Sequence, residues 1–208
     1  MISMTSSSSL PRPNLVEWFG ATLVFVAAVG YWLPWLANRS AALSANALDL
    51  AEWVGLAPAQ RQMSPPMPAS LALRGVLVIL ALLFALRGRA LRHWLFWIIA
   101  LILALTLTPP LEFFRGQFAD PNYQQFAGLV LSALIGIGVV FVFRQARWAW
   151  RVIESGLAVV GISAALIGVS SGFETLARTG MPTPIGLGVL VSGMALMAWA
   201  VIGIIPRD

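Results

Sequence analysis

Apolar residues along the chain gather into six long runs, at about 18–37, 71–86, 94–111, 126–143, 155–173 and 185–205, separated by short breaks rich in arginine, proline or polar residues. At 1.5 Å of rise per residue, a helix of ~20 apolar residues matches a hydrocarbon core of roughly 30 Å. The pattern predicts an all-α, polytopic integral membrane helix bundle with six transmembrane helices. The second run carries Arg74 near its start. Extending it back to Pro68 restores a full span, with the guanidinium snorkelling to the headgroups.

Residues 1–16 (MISMTSSSSLPRPNLV) are serine-rich and broken by proline, so a flexible N-terminal tail is expected ahead of a six-span membrane domain over 17–208. The first run is longer than the h-region of a signal peptide and ends in Trp32, Pro34 and Trp35. A small-residue cleavage site is missing and an aromatic belt is present, which favours a span. The one long connection, the outer loop 38–70, divides in two. Ser40 is placed to cap a surface helix over about 41–56, with Leu43, Ala47, Leu50 and Val54 on one face, which suits a short interfacial helix lying on the membrane. The tract MSPPMPAS (63–70) then reads as an extended linker.

Composition agrees with the pattern: 59% of the residues are hydrophobic and 10% charged, where soluble domains carry about 25% charged. All 13 basic residues are arginine, the single histidine is His93 and cysteine is absent. These absences remove whole chemistries. A retinal or pyridoxal Schiff base needs a lysine amine and a bis-His haem needs two imidazoles, so neither forms within this chain. Disulfides and thiolate metal sites are excluded too. The arginines are scattered in short loops without a nucleic-acid-binding motif, so no nucleic acid partner is expected.

Their distribution instead sets an orientation. With the N-terminus in the cytoplasm, Arg12, Arg87, Arg89, Arg92, Arg144, Arg147, Arg151 and Arg207 lie inside, against Arg39, Arg61, Arg115 and Arg178 outside. The positive-inside rule therefore predicts a multi-pass protein of the cell (inner) membrane with both termini cytoplasmic.

Small residues allow close helix contact in lipid, where the apolar tails give no hydrophobic drive for association. The fifth run carries Ala158, Gly161, Ala165, Gly168 and Gly172 along one helical face, and the fourth adds Gly128, Ser132 and Gly136. With Gly188, Ser192 and Ala195 in the sixth, runs four to six are expected to pack as a tight unit. Runs two and three are bulky on every side. Their faces are expected to meet lipid or other membrane subunits.

Candidate chemistry is sparse. The string Gly168–Gly172 fits G-x-S-x-G, and six spans with an intramembrane serine are similar to rhomboid proteases in those few residues alone. A rhomboid needs a histidine beside its serine, whereas His93 is expected at the opposite interface, so Ser170 is not expected to be a nucleophile. Asp49, Glu52, Glu112 and Glu174 fall at the outer ends and form the candidate site for a cation or polar ligand; no metal is assigned. Glu154, one turn inside the fifth run, is expected to pair with Arg147 or Arg151. In the inner loop RQARWAWR, Arg144, Arg147, Trp148 and Arg151 suit anionic headgroups or a cytoplasmic partner. The sequence thus points to a non-catalytic membrane subunit of a larger complex, with transport as the commonest setting. The rival is an independent small-molecule binder or carrier, comparable in size and helix count to the substrate-binding membrane components of vitamin transporters. An intramembrane enzyme comes third.

Overall fold

The computed structural model describes residues 15–38, 43–143, 147–178 and 184–204. Lipid offers no water to unpaired backbone groups, so each apolar run satisfies its own N–H and C=O groups as a helix. In chain order the elements are α1 (Leu15–Trp32), strands β1 (Leu36–Asn38) and β2 (Leu43–Ala45), α2 (Ala47–Gly55), α3 (Pro58–Arg61), α4 (Pro68–Leu91), α5 (Trp94–Leu105), α6 (Leu111–Phe114), α7 (Pro121–Val142), α8 (Arg147–Ala177) and α9 (Leu187–Ile204). Among the described residues the fold is helical apart from the antiparallel β1–β2 ribbon and an isolated bridge from Leu36 to Ile185. Among the described residues, four helices are long and apolar enough to cross a membrane: Leu15–Trp32, Pro68–Leu91, Pro121–Val142 and Ala149–Ala177. The apolar helices Trp94–Leu105 and Leu187–Ile202 are shorter. Most of the expected tail, and Ser40, lie outside the described residues.

Local chemistry sets the helix ends. Arg92 closes α4 in a left-handed conformation (φ 55°) with its N–H bonded to the Gly88 carbonyl, and His93 Nδ1 then accepts from Leu95 N to cap α5. This two-residue turn makes α4 and α5 neighbours. α5 stops ahead of Pro109 and Pro110, which have no N–H to continue it. Asp120 caps α7 by accepting from Asn122 N at 2.7 Å, with Pro121 in the first helical position.

The expected packing order is corrected here. The bulky helix of the second run is the hub of the bundle and not its outer face: α4 packs on α1, α2, α5, α7 and α8, and 72% of its most apolar stretch is buried, against 22% in α7. The physical reason is complementarity, because bulky side chains fill the hollows that small residues leave. A Cβ added to Gly168 would meet Leu73 Cγ at 2.5 Å, and one added to Gly161 would meet Ile79 Cγ2 at 3.3 Å. The small face of α8 thus receives Leu73 and Ile79 of α4, with Ala158 and Ala165 buried on the same side. Gly172 continues the face toward Val54 of α2. On α7, Gly136 meets Leu82, whereas Gly128 and Ser132 face outward and touch no other helix closely.

These pairs also give directions. Gly161 opposite Ile79 and Gly168 opposite Leu73 make α8 antiparallel to α4. Gln125 beside Arg74 and Gly136 beside Leu82 make α7 parallel to α4. Gly20 against Trp199 and Gly30 against Ser192 make α9 antiparallel to α1.

The surface helix expected over about 41–56 is shorter, and its apolar face is buried against the bundle. Leu43–Ala45 are strand, and α2 begins at Ala47 because Asn46 Oδ1 accepts from Leu48 N (2.8 Å) and Asp49 N (3.0 Å). Ala47, Leu50 and Val54 are fully buried, so α2 covers one end of the bundle, against α4 and α8. The tract after it is docked and not a free linker: Met67 is buried, its N–H bonds the Gln60 carbonyl at 2.7 Å, and Gln60 Nε2 donates to Thr175 Oγ1.

Candidate functional site

Burying a charge in hydrocarbon is costly, so buried ionisable groups mark where a membrane protein has a structural or functional demand. The bundle has two such places on α4. Near the end covered by α2, Arg74 is fully buried. Its Nη2 donates to Glu52 Oε1 at 2.7 Å and its Nη1 to Gln125 Oε1 at 3.2 Å, while the guanidinium lies 4.0 Å from the Phe126 ring centroid. Gln125 in turn donates through Nε2 to the Pro66 carbonyl at 2.6 Å. Nearby, Tyr31 donates to the Leu73 carbonyl at 3.2 Å and Ser70 to the Ala51 carbonyl at 2.6 Å. This network ties α1, α2, α4 and α7 together. Arg74 therefore does not snorkel: its charge is met within the protein, where α2 carries Glu52 over the helix end.

Between three and four turns further along α4, Arg87 forms an ion pair with Glu154 of α8, both at least 95% buried. The guanidinium stacks over the buried Trp199 of α9 at 4.6 Å. The expected partners of Glu154, Arg147 or Arg151, lie on its own helix; the pairing seen here crosses between helices and reaches a residue 67 positions away. An inter-helix pair neutralises two charges at once in a place that neither helix alone provides. Arg89, two residues on, donates through Nη1 to the carbonyls of Val140 (3.0 Å) and Phe143, where α7 runs out of helical partners, and lies 4.9 Å from the Trp150 ring.

Beside this second node, α7 and α8 splay apart over α4. The space between them is an apolar groove of about 440 Å³, bounded by Leu82 and Leu86 below, Val139, Val140 and Phe143 on α7, and Trp150, Ile153 and Leu157 on α8.

The acids singled out in the sequence do not converge. Glu52 belongs to Arg74, Asp49 Oδ2 accepts from Asn46 N within the α2 cap, Glu174 pairs with Arg178 at 2.6 Å on the same helix, and Glu112 is exposed in α6. Among the described residues, no three of His, Asp and Glu approach closely enough to hold a metal ion. Ser170 points outward, its hydroxyl bonded to the Ile167 carbonyl at 3.2 Å. Arg144 and the side chains of Arg147 and Trp148 lie outside the described residues, and Arg151 is half-buried. What sequence reasoning missed is the Arg87–Glu154 pair, the Arg74–Glu52 pair and the groove. The only signal for the pairs was that each carries an ion inside or at the edge of an apolar run.

The chain matches no protein-family model, no curated protein and no solved structure.

Proposed function

We propose that the chain is a six-span, non-catalytic subunit of a larger assembly in the cell membrane, with both termini cytoplasmic and transport as its setting. The alternating directions of α1, α4, α5, α7, α8 and α9 support six crossings, one of them made by the short helix α5. The buried charges serve as struts between helices, and the Ser170 hydroxyl donates to the Ile167 carbonyl of its own helix, which supports a role without chemistry of its own.

The observation that carries the subunit reading is the flank formed by α5 and the chain after it. At 12 residues, α5 covers about 18 Å. From Thr106 to Asp120 the chain climbs back to the start of α7 as turns around the four-residue α6, with Leu111, Phe114 and Phe118 exposed. Irregular backbone at membrane depth is stable only against protein or a water-filled cavity. Exposed Ile98, Ile102 and Leu105 extend the same flank along α5. A neighbouring subunit on this side covers both. Photo-crosslinkers at Ile102 and Phe118 in native membranes should capture a defined protein, with Leu190 on α9 as the comparison site. Lipid-only crosslinks at both positions, together with the mass of a single chain after mild-detergent purification, would refute the reading and favour a lone binder.

The orientation has its own test, and the native chain has no cysteine to confuse it. A cysteine replacing Ala59 should react with an impermeant maleimide in intact cells, and one replacing Ala90 should react only after the cells are opened. The reverse pattern would invert the protein.

A further inference from the structure

We propose that the groove between α7 and α8 is a retention site for one anionic glycerophospholipid of the surrounding bilayer, an acyl chain lying in the groove and the phosphate at its arginine end. Three features carry this. The first is shape: a volume of about 440 Å³ falls within the ~300–1,000 Å³ of small-molecule sites, and its walls are predominantly apolar. Lateral opening between two membrane helices admits a chain directly from the leaflet.

The second is an unmet donor. Trp150 lines the groove, is 91% buried by its 9% residual exposure, and its Nε1–H has no acceptor among the described residues. An indole N–H buried without a partner loses a hydrogen bond that it makes in water, and an ester or phosphate oxygen supplies the acceptor. The third is charge. Arg89 closes the same end of the groove, against Trp150 and the carbonyls of Val140 and Phe143, two other lining residues. Both of those bonds use Nη1, so among the described residues Nε and Nη2 make no hydrogen bond and are left for an anion. Arg151 follows Trp150 on α8, and the one acid nearby, Glu154, is already paired with Arg87. A net positive end on an apolar slot selects an anionic headgroup over a zwitterionic one. Arg89 itself holds the end of α7, so the test leaves it in place.

The experiment is native mass spectrometry of the full chain released from detergent after incubation with phosphatidylglycerol or phosphatidylcholine. One phosphatidylglycerol should stay bound per chain and phosphatidylcholine should not. Val139→Trp, which fills the groove from an exposed position on α7, should abolish retention, while Leu190→Trp on α9 leaves it unchanged. Trp150→Phe, which keeps the ring and removes the donor, should weaken it about 3- to 10-fold, the range expected for one hydrogen bond. Should Val139→Trp fail to fold by size exclusion, Ile153→Trp fills the groove from the α8 side. A phosphatidylglycerol carrying a diazirine in its acyl chain should label peptides of α7 and α8 around Val139 and Ile153. Equal retention of the two lipids, or retention that survives both filling variants, would overturn the proposal. So would labelling spread evenly over the exposed faces of α1 and α9, or a protein partner found to occupy the groove.

Discussion

Glu154→Leu should destabilise the bundle by about 3 to 5 kcal/mol, the range found when one member of a buried ion pair is removed. The cost comes from what stays behind. Arg87 is 97% buried by its 3% exposure, with Leu86 and Gly88 buried beside it near the C-terminal end of the hub helix. Without the carboxylate, its charge is left with the face of Trp199 and, among the described residues, no counter-ion. The double variant Arg87→Met with Glu154→Leu removes both charges and keeps the volume, so it should recover most of the loss. Thermal unfolding in mild detergent, followed by the monodisperse fraction on size exclusion, reads both. A native-like midpoint for the single variant would mean that water reaches Arg87 and that the pair does not act as a strut. Failure of the double variant to recover would mean that the site needs ions for some purpose beyond holding α4 to α8.

The same pair shows how far the sequence can be read. The six apolar runs were legible because span length is set by the bilayer, and the small face of α8 was legible because glycine and alanine at intervals of three and four leave one side of a helix bare. What that face receives was not. Gly168 takes Leu73 and Gly161 takes Ile79, and nothing within residues 155–173 names a partner some ninety positions earlier in the chain. A bulky helix looks the same from sequence whether it faces lipid or lies at the centre, because hydrocarbon and leucine are equally apolar. The exception was Arg74 and Arg87: two charges on one bulky helix argue for protein around it, and read that way they place α4 inside. The candidate acids failed for a related reason. Glu52 was legible as a carboxylate near the membrane, but its use as the counter-ion of Arg74 depends on α2 folding back over the helix end, which the capping box at Asn46 and the docked Met67 bring about.

A close backbone approach between α1 and α9 lies where the sequence marks only one side. Ser192 belongs to the small-residue pattern of the last run, whereas Gly30, its neighbour on α1, stands alone beside bulky Val29, Tyr31 and Trp32. A Cβ at Gly30 would sit 2.5 Å from Ser192 N and 2.9 Å from its Cα. Both are backbone atoms, which cannot rotate away as a side chain does, so Gly30→Ala must push α1 and α9 apart along their length. Overpacking of this kind costs about 1 to 3 kcal/mol, and contact with backbone places Gly30 toward the upper end. Gly161→Ala meets Ile79 Cγ2 at 3.3 Å, where a side-chain methyl can yield by a few tenths of an ångström, and should cost less. Gly193, one residue beyond Ser192, has nothing within 4 Å of a built Cβ, so Gly193→Ala should be neutral or slightly stabilising through its better helix propensity. Unfolding midpoints of the three alanine variants in the same detergent should therefore fall in the order Gly30, Gly161, Gly193, from lowest to highest. Equal midpoints for Gly30→Ala and Gly193→Ala would show that α1 and α9 separate without loss, and that their backbone contact contributes nothing to holding the first helix in the bundle.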